Sequence, residues 1–389
     1  MKGRNTKVLQ VIGGSEFGGA VWIILSYVQM LQAQGFEVLV CASADSVAQA
    51  YKEIGCEIVA VDEMRRSINP FLDSKAFYKL WQLCRHREID IVHTHTSKGG
   101  FLGRAAGRFA HVPIVIHTVH GFAFHEGSSP LSIRAFAAIE RLAARWCDKI
   151  TTVSEFHRRW AIQLGIVPPD KICTVHNGIS TDRLIPNRRR ADVRQDFGLE
   201  EDSFLIATVG RLAPQKGLEY LLQATGAVRT EVPKVKLVIA GDGPSGASLR
   251  ELTRRLGLDN VVMFTGFSSD VGTLLHACDV LVSPTLREGM SVSILEAMAL
   301  GKPVITTNIS SNKELITDGL SGMLVPPRDE NMLARKIINL ATDEDLQKKF
   351  GLAAAERFQL YFSEKKMQDD LWEVYHQLIR DKLPRSKYH

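Results

Sequence analysis

Short apolar, β-branched runs alternate with longer helical patterns from one end of the chain to the other. The runs are Val8 to Ile12, Glu37 to Cys41, Ile89 to Val92, Ile114 to Val119, Lys149 to Val153 and Ile172 to Val175, then Leu205 to Val209, Val235 to Ala240, Val261 to Phe264, Val280 to Ser283 and Val304 to Thr306. Mainly apolar runs of this length suit strands covered on both faces, so the pattern predicts an α/β protein of βαβ units with doubly wound parallel sheets. The series starts twice. After Asn177-Gly178, the segment from about Arg183 to Ser203 is polar and charged, contains Arg188-Arg189-Arg190, and precedes a fresh strand ending at Gly210. Such a segment marks a junction between domains, giving one doubly wound domain over 1–183 and a second over 184–363. Glu364 to Arg380 reads as an amphipathic helix with Met367, Leu371, Val374, Tyr375 and Leu378 on one side, and the C-terminal stretch 364–389 is expected to pack back across the first domain.

Length supports the division, because 389 residues exceed one ordinary core and fit two of usual size. The net charge of +5 suits anionic substrates or anionic lipid headgroups but is too small to point to nucleic acid. Six scattered cysteines without a Cys-x-x-Cys pair indicate neither a zinc site nor a disulfide framework, and a reducing cytoplasm is the compartment expected. The basic opening Met1 to Lys7 runs straight into a strand, and the apolar run Val21 to Leu31 is short and broken by Ser26 and Gln29, so neither a signal peptide nor a membrane span is expected.

The most informative stretch is Ser283 to Val304, which joins a strand end, a polar loop with Glu288, a helix start bearing Glu296, and a Gly301-x-Pro303 turn into the next strand. That is how a ligand crevice is built at the carboxyl edge of a parallel sheet. Amides of Gly289 to Ser291 near the helix start suit a negative group, while the two carboxylates accept hydrogen bonds from hydroxyls. Upstream, Val209 to Gly217 ends a strand and places Arg211 and Lys216 five residues apart, a fork and a point charge suited to a diphosphate. In the first domain, Gly13-Gly14-Ser15-Glu16-Phe17-Gly18-Gly19 follows a strand and opens a helix, and it reads equally as a phosphate cradle or a tight turn. Gly241-Asp242-Gly243-Pro244-Ser245-Gly246 formally fits the dinucleotide pattern, but it lies mid-domain and no acid follows near Thr265-Gly266-Phe267, so it reads as a crevice-lining turn.

His93, His95, His117, His120 and His125 gather at strand ends without an acid in register, which favours neutral hydrogen-bonded rings over a metal site. Of these, His120 is best placed to meet a substrate hydroxyl. Ser132 to Lys149 sets Arg134, Arg141 and Arg145 on one helical face and Phe136, Ile139, Ala143 and Trp146 on another, which fits either an anionic membrane surface or a helix packed on its own domain. Asp343-Glu344-Asp345 reads as a helix cap region with no metal.

Taken together, Gly18-Gly19, His120-Gly121, Asn177-Gly178, Gly210-Arg211-Leu212 with Gln215-Lys216-Gly217, Ala240 to Pro244, and Glu288-x7-Glu296-Ala297-Met298 with Gly301-x-Pro303-Val304 resemble the family 4 retaining GT-B glycosyltransferases. The resemblance spans most of the chain and implies two Rossmann-like domains facing a central cleft. It further implies that Arg211 and Lys216 bind the donor diphosphate, Glu296 the ribose, Glu288 with the amides of Gly289, Met290 and Ser291 the transferred sugar, and that Gly18 and Gly19 approach the donor. His120 would touch the sugar from the first domain. No metal or other cofactor is then expected, and front-face substitution would keep the donor's α configuration. Val21 stands where many relatives carry glutamate, and Gly289-Met290-Ser291-Val292 replaces the common Gly-Phe-Gly-Leu, so the identity of the sugar is not carried over. Thr94 to Arg104 and His117 to Phe122 resemble bacterial members that extend surface polysaccharides or lipid-linked oligosaccharides, which implies a polyprenyl-diphosphate-linked acceptor with Lys98 and Arg104 as contacts, at the inner face of the plasma membrane. The expected substrate is a UDP-hexose or UDP-N-acetylhexosamine. A GT-B sugar-nucleotide epimerase and a catalytically silent sugar-nucleotide-binding protein are the alternatives.

Overall fold

A computed structural model of the chain describes residues 5–13, 18–42, 45–65, 67–200, 202–268 and 270–384. It divides into two compact units, one of residues 1–177 with 365–389 and one of residues 178–364.

The first unit holds a parallel sheet of β1 (Lys7–Gly13), β2 (Glu37–Ala42), β3 (Glu57–Ala60), β4 (Ile91–Thr94), β5 (Ile114–Val119), β6 (Lys149–Thr152) and β7 (Ile172–Thr174), in the order β3-β2-β1-β4-β5-β6-β7. The second holds β8 (Phe204–Val209), β9 (Val235–Ala240), β10 (Val262–Gly266), β11 (Val280–Ser283), β12 (Val304–Thr307) and β13 (Met323–Val325), in the order β10-β9-β8-β11-β12-β13. Both sheets are therefore wound outward in two directions from a first strand, which opens a crevice at the carboxyl ends of β1 and β4 in one unit and of β8 and β11 in the other. Central strands such as Val8 to Ile12 and Leu205 to Ala207 are almost wholly buried, which is why apolar residues dominate them, with Gln10 the polar exception. Two of the four edge strands, β3 and β13, did not register in the pattern, whereas β7 and β10 did. β3 has no fully buried position and β13 is only Met323-Leu324-Val325, so both are weak signals beside the longer central runs.

The boundary falls at Asn177 and Gly178 rather than after Arg183. Ile179 is hydrogen-bonded to Phe362 and Glu364, and a Cβ on Gly272 would sit 2.6 Å from the carbonyl oxygen of Leu184, so this stretch is knit into the second unit. The helix Glu364–Lys382 packs on the first unit through Met367, Leu371, Val374, Tyr375 and Ile379. Ile379, not Leu378, completes the buried stripe.

Candidate active site

At the carboxyl edge of the second sheet, two strand-end loops touch backbone to backbone. Gly210 N–H donates to Ala240 O and Leu212 N–H to Asp242 O, and a Cβ on Gly241 would lie 1.9 Å from Gly210 O. Gly241 also has φ of +142°, so glycine is required there both by conformation and by space. The pattern that formally matches a dinucleotide loop is thus a packing device that supports the turn carrying Arg211.

A second interlock brings the expected cation and carboxylate together. The turn Pro214–Lys216 is closed by Gly217 at φ +61°, where a Cβ would meet Pro284 O at 2.4 Å. Leu286 N–H donates to Gln215 O at 2.8 Å, and Thr285 Oγ1 donates to the same carbonyl at 3.1 Å. With the 214–217 and 284–288 loops held this way, Lys216 Nζ forms an ion pair with Glu288, and a Cβ on Gly210 would stand 3.8 Å from that Nζ. Residues 72 positions apart in the chain thus form one charged cluster at the turn that bears Arg211.

Glu296 stands in the helix Val292–Ala299 and is 4% exposed. Burial pushes its carboxyl up to about 7 against the pull of Arg183, whose Nη2 lies 2.6 Å from Glu296 Oε1. The opposition is physical: desolvation penalises the anion while a neighbouring guanidinium favours it. Arg183 is a partner of Glu296 that sequence reasoning missed. It stands in the polar stretch taken as a junction, 113 residues from its partner, and nothing in the local pattern marks it.

In the first unit the strand-end histidines are hydrogen-bonded rings. His93 joins Tyr375 and Thr118 at 2.8 and 2.7 Å, His117 meets Thr94 Oγ1 at 2.9 Å, and His95 joins Gln10 and His120 at 2.8 and 3.1 Å. Burial holds all four neutral, pushing His93 down to about 3, His120 to about 4, and His95 and His117 well below the ordinary range. Among the described residues no group of three His, Cys, Asp or Glu side chains is placed to hold a metal ion.

Comparison with known proteins decides the family. Residues 18–178 match the glycosyl transferase 4-like domain and residues 189–357 match glycosyl transferases group 1. Over 337 residues the chain is 32% identical to the UDP-Gal:alpha-D-GlcNAc-diphosphoundecaprenol alpha-1,3-galactosyltransferase of Escherichia coli, covering 83% of this chain and 87% of that one. The chain belongs to the family 4 GT-B glycosyltransferases. It is also 24% identical to the N,N'-diacetylbacillosaminyl-diphospho-undecaprenol alpha-1,3-N-acetylgalactosaminyltransferase of Campylobacter jejuni, over 85% of this glycosyltransferase and 88% of that one. The fold agrees with the crystal structure of Anabaena HepE in complex with UDP and glucose, at a TM-score of 0.84 and 22% identity over 96% of this chain and 100% of that one. The enzyme works in the synthesis of polysaccharide or lipid-linked sugar.

The structure of the glycosyltransferase places other expected residues as follows. Arg104 is fully buried, donating from Nη2 to Glu140 at 2.8 Å and from Nε to Gly100 O, so it cannot reach an acceptor. The helix Ser97–Phe109 around it is a packing element: a Cβ on Gly100 would fall 2.4 Å from His117 Cε1, and one on Gly103 2.6 Å from Thr94 Cγ2. Lys98 is paired with Asp73 of a neighbouring helix at 2.7 Å and also donates to Ser67 O. Gly18 is the N-cap of the helix Gly19–Ala33, while Gly14, Ser15, Glu16 and Phe17 lie outside the described residues. The basic helix runs Pro130–Ala144, with Phe136, Ala143 and the following Trp146 turned inward. Its outer face carries Arg134 beside Leu131, Ile139 and Leu142, which are 78%, 47% and 43% exposed. Asp343 caps the helix Glu344–Tyr361 by accepting from Leu346 N–H at 2.9 Å. No helix among the described residues is long and apolar enough to cross a membrane.

Proposed function

We propose that the chain is a retaining, metal-independent transferase that moves a hexose or N-acetylhexosamine from a UDP-sugar to a polyprenyl-diphosphate-linked or oligosaccharide acceptor at the cytoplasmic face of the membrane. The observation that carries this reading is the Lys216–Glu288 pair beside the Arg211 turn, a preformed charged cluster at a topological switch point. The named activities of the E. coli and C. jejuni relatives, which act on diphosphoundecaprenol-linked sugars, support the acceptor class.

In this reading Arg211 and Lys216 neutralise the departing nucleoside diphosphate. Charge grows on the leaving oxygens as the C1–O bond to phosphate breaks, and fixed cations lower that barrier without reorganising during the step. The acceptor oxygen forms the new bond to C1, and its proton passes to a leaving phosphate oxygen, so no side-chain nucleophile is used and the α configuration is kept. Glu288 and the amides of Gly289, Met290 and Ser291 hold the sugar hydroxyls, Glu296 accepts from the ribose, His120 meets a substrate hydroxyl, and Gly18 and Gly19 allow close approach of the donor. The exposed Leu131, Ile139 and Leu142 among arginines suit an anionic bilayer carrying the lipid acceptor.

The test is transfer from a panel of UDP-, GDP- and ADP-sugars to a short polyprenyl-diphosphate-linked sugar, with chelator present throughout and the anomer of the product read by NMR. An α-linked product formed only from a UDP donor is expected. A β-linked product, or turnover that stops with chelator, would overturn the mechanism, and altered donor sugar without acceptor would show an epimerase.

A further inference from the structure

Inside the first unit, polar side chains form an unbroken string from the sheet to His120. Thr151 Oγ1 is 2.7 Å from Thr118 Oγ1, Thr118 Oγ1 is 2.7 Å from His93 Nε2, and His93 Nδ1 is 2.8 Å from Tyr375 Oη. Gln10 Nε2 donates to Tyr375 Oη at 3.4 Å, Gln10 Oε1 is 2.8 Å from His95 Nε2, and His95 Nδ1 is 3.1 Å from His120 Nε2. Gln10, His93, His95 and Tyr375 are wholly buried, and Tyr375 comes from the C-terminal helix Glu364–Lys382.

Gln10 sets the direction of the string, because its two ends differ chemically. A carbonyl oxygen only accepts and an amide nitrogen only donates, whereas hydroxyls do both and a neutral imidazole does one at each nitrogen. With Gln10 Oε1 facing it, His95 Nε2 carries the hydrogen and His95 Nδ1 is bare. His120 Nε2 must then be the donor to His95, which leaves His120 Nδ1 with an open lone pair. On the other side, the Gln10 amide donates to Tyr375 Oη, Tyr375 donates to His93 Nδ1, and His93 Nε2–H donates to Thr118. Every bond points inward from His120. Among the described residues no partner is recorded for His120 Nδ1, and the ring is half-buried, so this lone pair is the end of the string that a ligand can reach.

We infer that Gln10, His95, His93 and Tyr375 are positioning residues that hold His120 as the Nε2–H tautomer, so that its Nδ1 accepts a hydrogen bond from a hydroxyl of the bound sugar or acceptor. The inference rests on the proposed role of His120 as a substrate contact. It makes the C-terminal helix part of the machinery, since its tyrosine closes the string 282 residues from His93. A buried string of this kind fixes orientation as a unit, and a cut anywhere along it releases the ring at the end.

The experiment uses the full chain labelled with 15N-histidine, in which long-range proton–nitrogen spectra separate hydrogen-bearing from bare ring nitrogens, the His120 signals being those lost in His120→Asn. A protonated Nε2 and a bare Nδ1 are expected at His120. A protonated Nδ1 would mean that the Gln10 amide is turned over and every bond reversed, and it would overturn the inference whatever the enzyme transfers. Gln10→Met should give mixed His120 tautomers and about a tenfold lower kcat with the UDP Kd unchanged. Gln10→Glu, whose carboxylate still accepts from His95 Nε2–H, should keep the tautomer and most of the rate. Should Gln10→Met fail to fold, Tyr375→Phe gives the same readings while keeping the ring. Wild-type tautomer and kcat in the folded cut variant would refute the positioning role. Wild-type kcat in His120→Ala would instead refute the substrate role of His120, and the spectrum would still judge the string.

Discussion

Glu296 gives the sharpest test of the donor site. Its carboxyl titrates near pH 7 because burial raises it from an ordinary 4.5, with Arg183 restraining the rise. To accept from ribose hydroxyls with both oxygens it must be ionised, since a protonated carboxyl loses acceptor capacity. With a midpoint of about 7, roughly nine-tenths of the free enzyme is anionic at pH 8 and roughly one-tenth at pH 6. Donor affinity should therefore fall about tenfold between those values, which is about 1.4 kcal/mol. The assay is calorimetric titration of an intact UDP-hexose without acceptor, whose diphosphate is esterified at both ends and lacks the terminal phosphate ionisation near pH 6 that free UDP would add. Glu296→Gln should bind more weakly at pH 8 and lose most of the slope.

Stability moves in the opposite sense. The folded state holds this proton more tightly than the unfolded chain, so the contribution is complete below pH 4.5 and lost as pH rises through about 7. Its size is about 3 kcal/mol at most, from the shift in titration between the two states. The free protein is thus less stable at neutral pH for carrying a buried carboxylate. A donor affinity that is flat from pH 6 to 8, or a Glu296→Gln variant with the wild-type slope, would refute the reasoning.

Removing either Arg211 or Lys216 with alanine should cost 10²- to 10³-fold in kcat/KM, the loss typical of one preorganised group facing developing charge, while the melting point stays within about two degrees; an unchanged rate in either variant removes the diphosphate assignment. Gly241→Ala should destabilise the second unit by about 3 kcal/mol, lowering its melting point by roughly 6–12 °C in calorimetry, since the new Cβ would stand 1.9 Å from Gly210 O at a φ of +142°. A change under two degrees would show that the two strand-end loops are not locked. Flotation with phosphatidylglycerol vesicles should carry the enzyme, and Leu131→Ser with Ile139→Ser and Leu142→Ser should reduce binding about tenfold or more, because three exposed apolar groups leave the interface. Equal flotation of the triple variant would place the membrane contact elsewhere.

The fold was legible because its central strands are buried on both sides, so composition alone betrays them, as in Leu205 to Ala207. β3 and β13 carry a weaker signal, β3 because no position in it is fully buried and β13 because it is three residues long. The charged cluster was legible in part, because Arg211, Lys216 and Glu288 follow strand ends and Glu296 lies in the helix just beyond, where ligands gather. What local spacing could not convey was pairing at a distance. Arg183 looks like a junction residue until the fold sets it against Glu296, and Arg104 looks like an exposed cation until Glu140 and the glycines of its helix enclose it. The sequence rule that strand-end histidines are neutral and hydrogen-bonded anticipated His93, His95 and His117, but their order in one string depends on Tyr375, which belongs to the far end of the chain.

Two units of the same topology have filled their switch points with opposite electrostatics. The second places ions there, Lys216 against Glu288 and Arg183 against Glu296, and holds them by backbone contacts that only glycine allows. The first places neutral rings and hydroxyls there, each satisfied by the next. The contrast matches what the proposed function asks of each. A diphosphate carries charge that grows during bond breaking, and only fixed charge of the other sign stabilises it in proportion. A hydroxyl carries none, so it is recognised by a lone pair at a set angle, and a charged ring would bind without that angular demand. Fixing a neutral tautomer by hydrogen bonds is the cheaper way to define such an angle in a buried site, because each bond in the string forms without desolvating an ion.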